Sequence, residues 1–422
     1  MRNIRLVLIL IFFASGLQAQ QTNTMIDLDV KIGQMILVGF PKAEVDQAVL
    51  NEIQSGKVGS IILFEKNVPV KKNSSYAALK KMTWTYAKAA PLFPLLISID
   101  QEGGKVNRLK DKYGFTRSIT EQEMGRSKNL DSVRFYAEAT AATLAGLGIN
   151  VNFAPVVDLA VNKDNTVIYK AGRSFSADPD SVTMLAAEYI RPNAKYGVIN
   201  VLKHFPGHGS STTDSHFGVA DVTNSWTEKE LIPYQRLIAA GKVDAIMSAH
   251  IVNRKLDPRG LPGTLSSRMV DSLLRKQMFY EGVVFSDDMH MQAISKQYGL
   301  EESIKLAILA GVDILCFSNN VVESEQVPGT RVHAIIRSLV DRGIISPERI
   351  DQSFNRIIKL KFKDRQASEE LLKNQLDGMR RELDELKKAN EEVKKSEVKE
   401  EPKKETPLPA EESGKKKKKK KS

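Results

Sequence analysis

Three histidines, His204, His208 and His216, fall within 13 positions of a chain that holds only six. They sit in Lys203-His204-Phe205-Pro206-Gly207-His208-Gly209-Ser210-Ser211-Thr212-Thr213-Asp214-Ser215-His216, where a carboxylate stands two residues before the last imidazole. Such a neighbour orients the ring and raises its proton affinity, which suits it to proton transfer near neutral pH. Zinc is the rival use for these residue types. The segment is rich in glycine and serine, lacks a helical His-x-x-x-His pair and has no cysteine, so proton transfer is the preferred reading. A second polar cluster closes an apolar run, Val284-Phe285-Ser286-Asp287-Asp288-Met289-His290-Met291. An aspartate emerging from an apolar strand can stay ionised and attack a carbon centre, which makes Asp287 a candidate nucleophile. Asp288 beside it is suited to hydrogen-bond backbone or to pair with a cation. Asp100 and Arg108 stand eight residues apart in Ile99-Asp100-Gln101-Glu102-Gly103-Gly104-Lys105-Val106-Asn107-Arg108. A carboxylate accepts two hydrogen bonds from paired sugar hydroxyls, and arginine offers a rigid fork of donors. A structural ion pair fits the same two residues. Arg173 lies in Ala171-Gly172-Arg173-Ser174-Phe175-Ser176, ahead of Asp178-Pro179, where it serves either a ligand or a helix end.

Groups this far apart need a scaffold that gathers them. Between about residue 25 and residue 366, short apolar runs rich in β-branched residues alternate with longer helical patterns. The runs are 35–40, 59–64, 95–100, 149–159, 198–204, 245–251, 282–288 and 313–317. Continuous apolar runs of this kind suit parallel strands covered on both faces. Helical stretches such as 131–147 and 181–196 fill the gaps. Eight strands with intervening helices predict an α/β fold of the (β/α)8 TIM-barrel type, with a doubly wound open sheet as the alternative. A barrel demands its functional groups at the C-terminal ends of strands. Asp100 closes the third run, Lys203-His204 the fifth, Ser248-Ala249-His250 the sixth and Ser286-Asp287-Asp288 the seventh. Polar groups are expensive inside apolar strands unless paired. Their convergence at one end of several strands is hard to explain by packing.

With 422 residues, 42% of them hydrophobic, the chain can bury one large core. Arg2 and Arg5 precede the apolar run 6–13, and small or polar residues follow to Ala19. This reads as a signal peptide over residues 1–19, and it predicts export to the periplasm or cell envelope. The apolar run is too short to span a bilayer, which takes about 20 residues. The single cysteine, Cys316, excludes a disulfide within the chain and reads as a buried strand thiol. The net charge of +11 does not mark a nucleic-acid binder. From Lys363 onward 19 Lys/Arg face 15 Asp/Glu, and with the two signal arginines removed as well the central region carries only +5. Beyond the barrel, Leu372, Leu376, Met379, Leu383, Leu386, Asn390 and Val393 form a heptad seam. Residues 367–395 are therefore expected as an amphipathic helix or a short coiled coil that supports a homodimer. Residues 396–422 read as a disordered Lys-rich tail. Its lysines, Lys415 to Lys421, serve as a solubilising run or as a contact to an anionic envelope surface.

Taken together and in this order, the four polar segments resemble the bacterial β-N-acetylglucosaminidases of glycoside hydrolase family 3, the exo-acting type used in peptidoglycan recycling. The resemblance covers roughly residues 28–362. Lys-His-Phe-Pro-Gly-His-Gly followed by Asp-Ser-His is its most specific element, with Asp-Gln-Glu-Gly-Gly and Ser-Asp-Asp-Met in support. It implies a (β/α)8 barrel, with Asp287 as nucleophile and His216 as acid/base with Asp214 as its partner. It also implies that Asp100, Arg108, Arg173, Lys203 and His204 grip the terminal sugar. No metal and no cofactor is implied, and the partner is a carbohydrate, either peptidoglycan fragments or chitooligosaccharides. The sequence departs from the family pattern at Lys105, where arginine is frequent, and at Met289, where leucine is frequent. The loop 166–172 before Arg173 is a couple of residues long. The family's recycling enzymes are generally cytoplasmic, whereas this chain opens with an export signal. Rival readings are phosphorolysis in place of hydrolysis, a β-glucosidase of the same fold, and a noncatalytic envelope sugar-binding protein.

Overall fold

The computed structural model describes residues 26–70, 75–212, 218, 220–320 and 326–363. The signal-like segment, the heptad seam, the lysine tail, and Asp214 and His216 lie outside the described residues.

Eight short strands form a closed parallel barrel: β1 Ile36–Gly39, β2 Ser60–Leu63, β3 Leu96–Ile99, β4 Val151–Asn152, β5 Ile199–Phe205, β6 Ala245–Ser248, β7 Val283–Asp288 and β8 Ile314–Phe317. Each pairs with the next, and β8 returns to β1, with Leu37 opposite Cys316 and Val38 opposite Phe317. Every run expected as a strand is one, and the open-sheet alternative is replaced by closure. Residues facing both sides of these strands are buried, because interior side chains pack inside the barrel and helices cover its outside. β4 is shorter than its apolar run of 149–159 suggests. Pro155 has no N–H to give a ladder, so beyond Asn152 pairing is reduced to one bridge between Val156 and Lys203.

The helices begin where the sequence supplies caps. Asp178 accepts from the amides of Asp180 and Ser181 ahead of α1 (Pro179–Lys195), which has proline in its first turn. Asn129 does the same for the helix Leu130–Gly146. Thr120 and Glu123 cap each other's amides in a capping box that opens Glu121–Ser127. These helices lie close to the expected spans 181–196 and 131–147. Cys316 is buried in β8, as expected.

The polar ends of the strands face one mouth. There a cavity of about 500 Å³ opens, within the range usual for small-molecule sites.

Candidate active site

The cavity floor is an alternating lattice of charge carried by the ends of β3 and β5 and by the loop after β4. Lys203 on β5 is 1% exposed, and its Nζ lies 2.8 Å from Asp100 and 2.6 Å from Glu102. Arg108 donates to the other oxygen of Asp100 at 3.1 Å. Arg173 grips Glu102 with Nε and Nη2, both at 2.8 Å. The fork geometry of the guanidinium suits this two-point contact. Burial by itself would push the Asp100 carboxyl up, but Lys203 and Arg108 outweigh it and hold it below the usual carboxylate range. Glu102 is likewise buried, and Arg173 and then Lys203 pull it down. Both remain ionised acceptors, suited to sugar hydroxyls. Arg108 stacks its guanidinium 5.5 Å from the centre of the Phe64 ring, which gives the wall an apolar face beside the charge.

His204 is held as one tautomer. Its Nε2 faces Nη2 of Arg173 at 3.1 Å, and arginine can only donate, so Nε2 accepts. The ring proton therefore sits on Nδ1 and is given to Asp158 at 2.6 Å. Burial, then the charges of Arg173 and Lys203, push the imidazole well below its ordinary range, so it stays neutral. Asp158 also accepts from the backbone amides of His204 and His208, at 3.2 and 2.8 Å. Buried Glu121 accepts the Val156 amide at 2.9 Å. Burial, then the nearby charge of Glu102, raise its carboxyl well above the usual range.

Across the cavity stands Asp287. Where β7 meets β8 the register shifts between Phe285 and Asp288, and Ser286 Oγ takes the Cys316 amide at 2.8 Å. Such a bulge re-aims the side chains around it. Asp287 then lines the cavity, and its Oδ1 accepts the Asp288 amide at 2.8 Å. Asp288 also lines the cavity, but its carboxylate is tied to the scaffold. It accepts from the Ser318 amide at 3.0 Å, from the Ser318 hydroxyl and from the His290 amide at 3.2 Å. Of the two roles open to it, it fills the backbone one. Its own carbonyl meets His250 Nε2 at 3.0 Å.

Six of the eight residues singled out in the sequence thus line one cavity: Asp100, Arg108, Arg173, Lys203, His204 and Asp287. His208 joins them there. Arg173 serves the wall rather than a helix end, and Asp100–Arg108 is an ion pair that also faces the cavity. Among the described residues, no group of three or more His, Cys, Asp or Glu is placed to hold a metal ion. Sequence reasoning missed Glu102, Asp158 and Glu121. Asp158 stands one residue before the end of the fourth apolar run, as Asp287 does in the seventh, so the rule that exposed Asp287 applies to it too. Glu121 has no such signal, because it opens a helix and reads as an ordinary first-turn acid.

The Glycosyl hydrolase family 3 N terminal domain matches residues 27–360. Beta-hexosaminidases from Tolumonas auensis and Xanthomonas oryzae pv. oryzae are 35% and 32% identical to this chain over 288 and 324 residues. The matched parts cover 68% and 74% of this chain and 83% and 92% of those proteins. A solved glycoside hydrolase family 3 beta-N-acetylglucosaminidase from Paenibacillus sp. str. FPU-7 superposes with a TM-score of 0.74 at 34% identity. That match covers 81% of this chain and 63% of the Paenibacillus chain, so this chain spans less than two thirds of that protein's length. Fold, motif order and relatives agree: the chain belongs to glycoside hydrolase family 3.

Proposed function

We propose that the protein is a β-N-acetylhexosaminidase of this family, an exo-acting retaining enzyme that releases terminal β-linked N-acetylglucosamine. The observation that supports it best is one cavity in which Asp287 faces the Asp100–Lys203–Arg108 lattice. A cavity floored by paired charges suits the end of a glycan, where several hydroxyls need partners at once. Asp287 attacks the anomeric carbon as the glycosidic bond breaks, and His216 gives its proton to the leaving oxygen. A covalent glycosyl-aspartate results. His216 then takes a proton from water, the water oxygen bonds to the anomeric carbon, and Asp287 leaves as a carboxylate. Asp214 orients His216 throughout. Most retaining glycosidases use two carboxyl groups, so an imidazole acid/base departs from the general pattern.

The substrate we infer is a peptidoglycan fragment or a chitooligosaccharide, met outside the cytoplasm after export. Asp287→Ala is expected to abolish turnover of a chromogenic β-N-acetylglucosaminide, and retained activity would refute the nucleophile assignment. His216→Ala should damage substrates with poor leaving groups far more than activated aryl glycosides, because only the former need strong protonation. General acid catalysis contributes roughly 100- to 10,000-fold, which sets the scale of that difference. Incubating the protein with chitobiose and with peptidoglycan fragments, then identifying the sugars released, tests the substrate.

A further inference from the structure

Beyond Phe205 the chain leaves β5 as a loop with polar supports on two sides. On one side Asp158 takes the His208 amide, and Asn165 Nδ2 donates to the carbonyls of His208 at 2.9 Å and Gly209 at 3.1 Å. Asn162 Nδ2 donates to the Ser211 carbonyl at 2.8 Å. On the other side is Glu230, 1% exposed, in the short turn Glu228–Leu231. Its Oε2 accepts the Gly209 amide at 2.8 Å, and Ser210 beside it also hydrogen-bonds the carboxyl. The fit is close enough to dictate the loop's sequence. A Cβ on Gly207, whose φ is +117°, would lie 2.5 Å from the Cβ of Glu230. Trp226 adds a bond from Nε1 to the Pro206 carbonyl at 3.1 Å.

Glu230 is unusual for a structural residue. No ion pair forms on it among the described residues, and burial, with Asp158's charge adding to it, lifts its carboxyl to about 7. A buried acid without a cation is costly, and an apolar side chain of similar size would fill the same space at less cost. Holding the polar groups of a loop at Gly209 and Ser210 is what the carboxyl does that an apolar group cannot. The loop it holds carries His208, which lines the cavity beside His204 at the end of β5. By sequence, Asp214 and His216 follow two and four residues beyond Thr212. The far side of that stretch is also fixed, since Ala220–Asp221 pairs with Ile251–Val252 just past β6.

We propose that Glu230 is a positioning residue for catalysis, holding the Gly209 amide so that the chain leading to Asp214 and His216 departs from a fixed point at the cavity edge. The inference rests on the acid/base role assigned to His216 above. A displacement of about 1 Å in a reacting group costs on the order of 100-fold in rate. Glu230→Ala, which removes the acceptor, and Glu230→Asp, which withdraws it by one methylene, are therefore expected to share one signature. Each lowers kcat roughly 10- to 100-fold on chitobiose or a phenyl β-N-acetylglucosaminide. On a dinitrophenyl β-N-acetylglucosaminide the loss is about threefold or less, and KM moves little, because activated leaving groups need little protonation. Glu230→Gln keeps an amide oxygen at the same reach and recovers most of the loss. His216→Ala is measured beside them in the full-length protein. If His216→Ala shows the leaving-group split and both Glu230→Ala and Glu230→Asp lose activity equally on both substrates, or not at all, the inference is overturned. It is overturned as well if Glu230→Gln is as impaired as the alanine variant. If His216→Ala itself shows no split, the acid/base assignment fails, and the inference fails with it.

Discussion

Lys203 is buried between two carboxylates, and each of those carboxylates holds a second cation. Removing Lys203 leaves each carboxylate one cation but takes a charge-assisted hydrogen bond from both, and such bonds are worth about 1.5–3 kcal/mol. Lys203→Met should lower the unfolding free energy by that order in a denaturant titration. A loss below about 1 kcal/mol, the scale of an exposed ion pair, would show that water reaches the lattice. Glu121 behaves oppositely. Its folded pKa is raised above the unfolded value, so the native state holds its proton more tightly. Stability from this group is complete below about 4.5 and declines as pH rises toward the folded pKa. Glu121→Gln, neutral at every pH, should remove that decline. Thermal midpoints of the two proteins would then converge at acidic pH and separate as pH rises, with the variant higher. Parallel curves would contradict a raised Glu121. Asp158→Asn tests the His204 tautomer. An amide presents only one oxygen where the carboxylate serves a ring and two backbone amides, so Arg173 and His204 lose their arrangement. A rise in KM of about tenfold or more, near 1.4 kcal/mol, is expected for the aryl glycoside.

At the scale of elements, the site depends on where strands end and how they are tied together. Gly39 ends β1, and a Cβ there would sit 1.9 Å from the Ser318 carbonyl just past β8. Ser318 is the residue on which Asp288 is anchored, next to the proposed nucleophile. Gly39→Ala must part β1 from β8, and overpacking of this kind costs about 1–3 kcal/mol. It should lower both the thermal midpoint and kcat, although Gly39 itself does not line the cavity. A lower midpoint with unchanged kcat would separate barrel closure from the seating of Asp287. The strands were legible in the sequence because each is an unbroken apolar run, and the helices Leu130–Gly146 and Pro179–Lys195 because helical patterns fill the gaps between runs. The early end of β4 at Asn152 and the bulge in β7 were not. The first follows from Pro155, which a count of apolar residues passes over, and the second from what a neighbouring strand finds to bond with, of which a periodicity has no view.

At the scale of the whole molecule, the barrel occupies residues before the tail and carries the complete described cavity. A chain ending at Lys363 is expected to hydrolyse a small aryl β-N-acetylglucosaminide with kcat/KM within about twofold of the full chain, a difference below about 0.5 kcal/mol. If Lys415 to Lys421 contact an anionic envelope, only the full chain will sediment with vesicles containing anionic lipid, and about 1 kcal/mol per lysine near the surface makes that readily measured. Equal sedimentation of both would remove the tail's proposed role.

Residue order alone determined the strand count, two of the helical stretches and which polar residues stand at strand ends. These are carried by short-range patterns that any stretch of chain expresses for itself. It also singled out Asp100, Lys203, His204 and Asp287, because a polar group closing an apolar run is conspicuous, and Arg108 and Arg173 through their glycine-containing segments and the family resemblance. The partnerships were decided only in the folded chain. Glu102 bridging Arg173 and Lys203, Asp158 fixing the proton of His204, and Glu230 holding Gly209 join residues 21 to 101 positions apart. Barrel closure brings such residues within 3 Å, and burial then makes each pairing matter, since a charge or amide shut away from water must find its partner inside the protein.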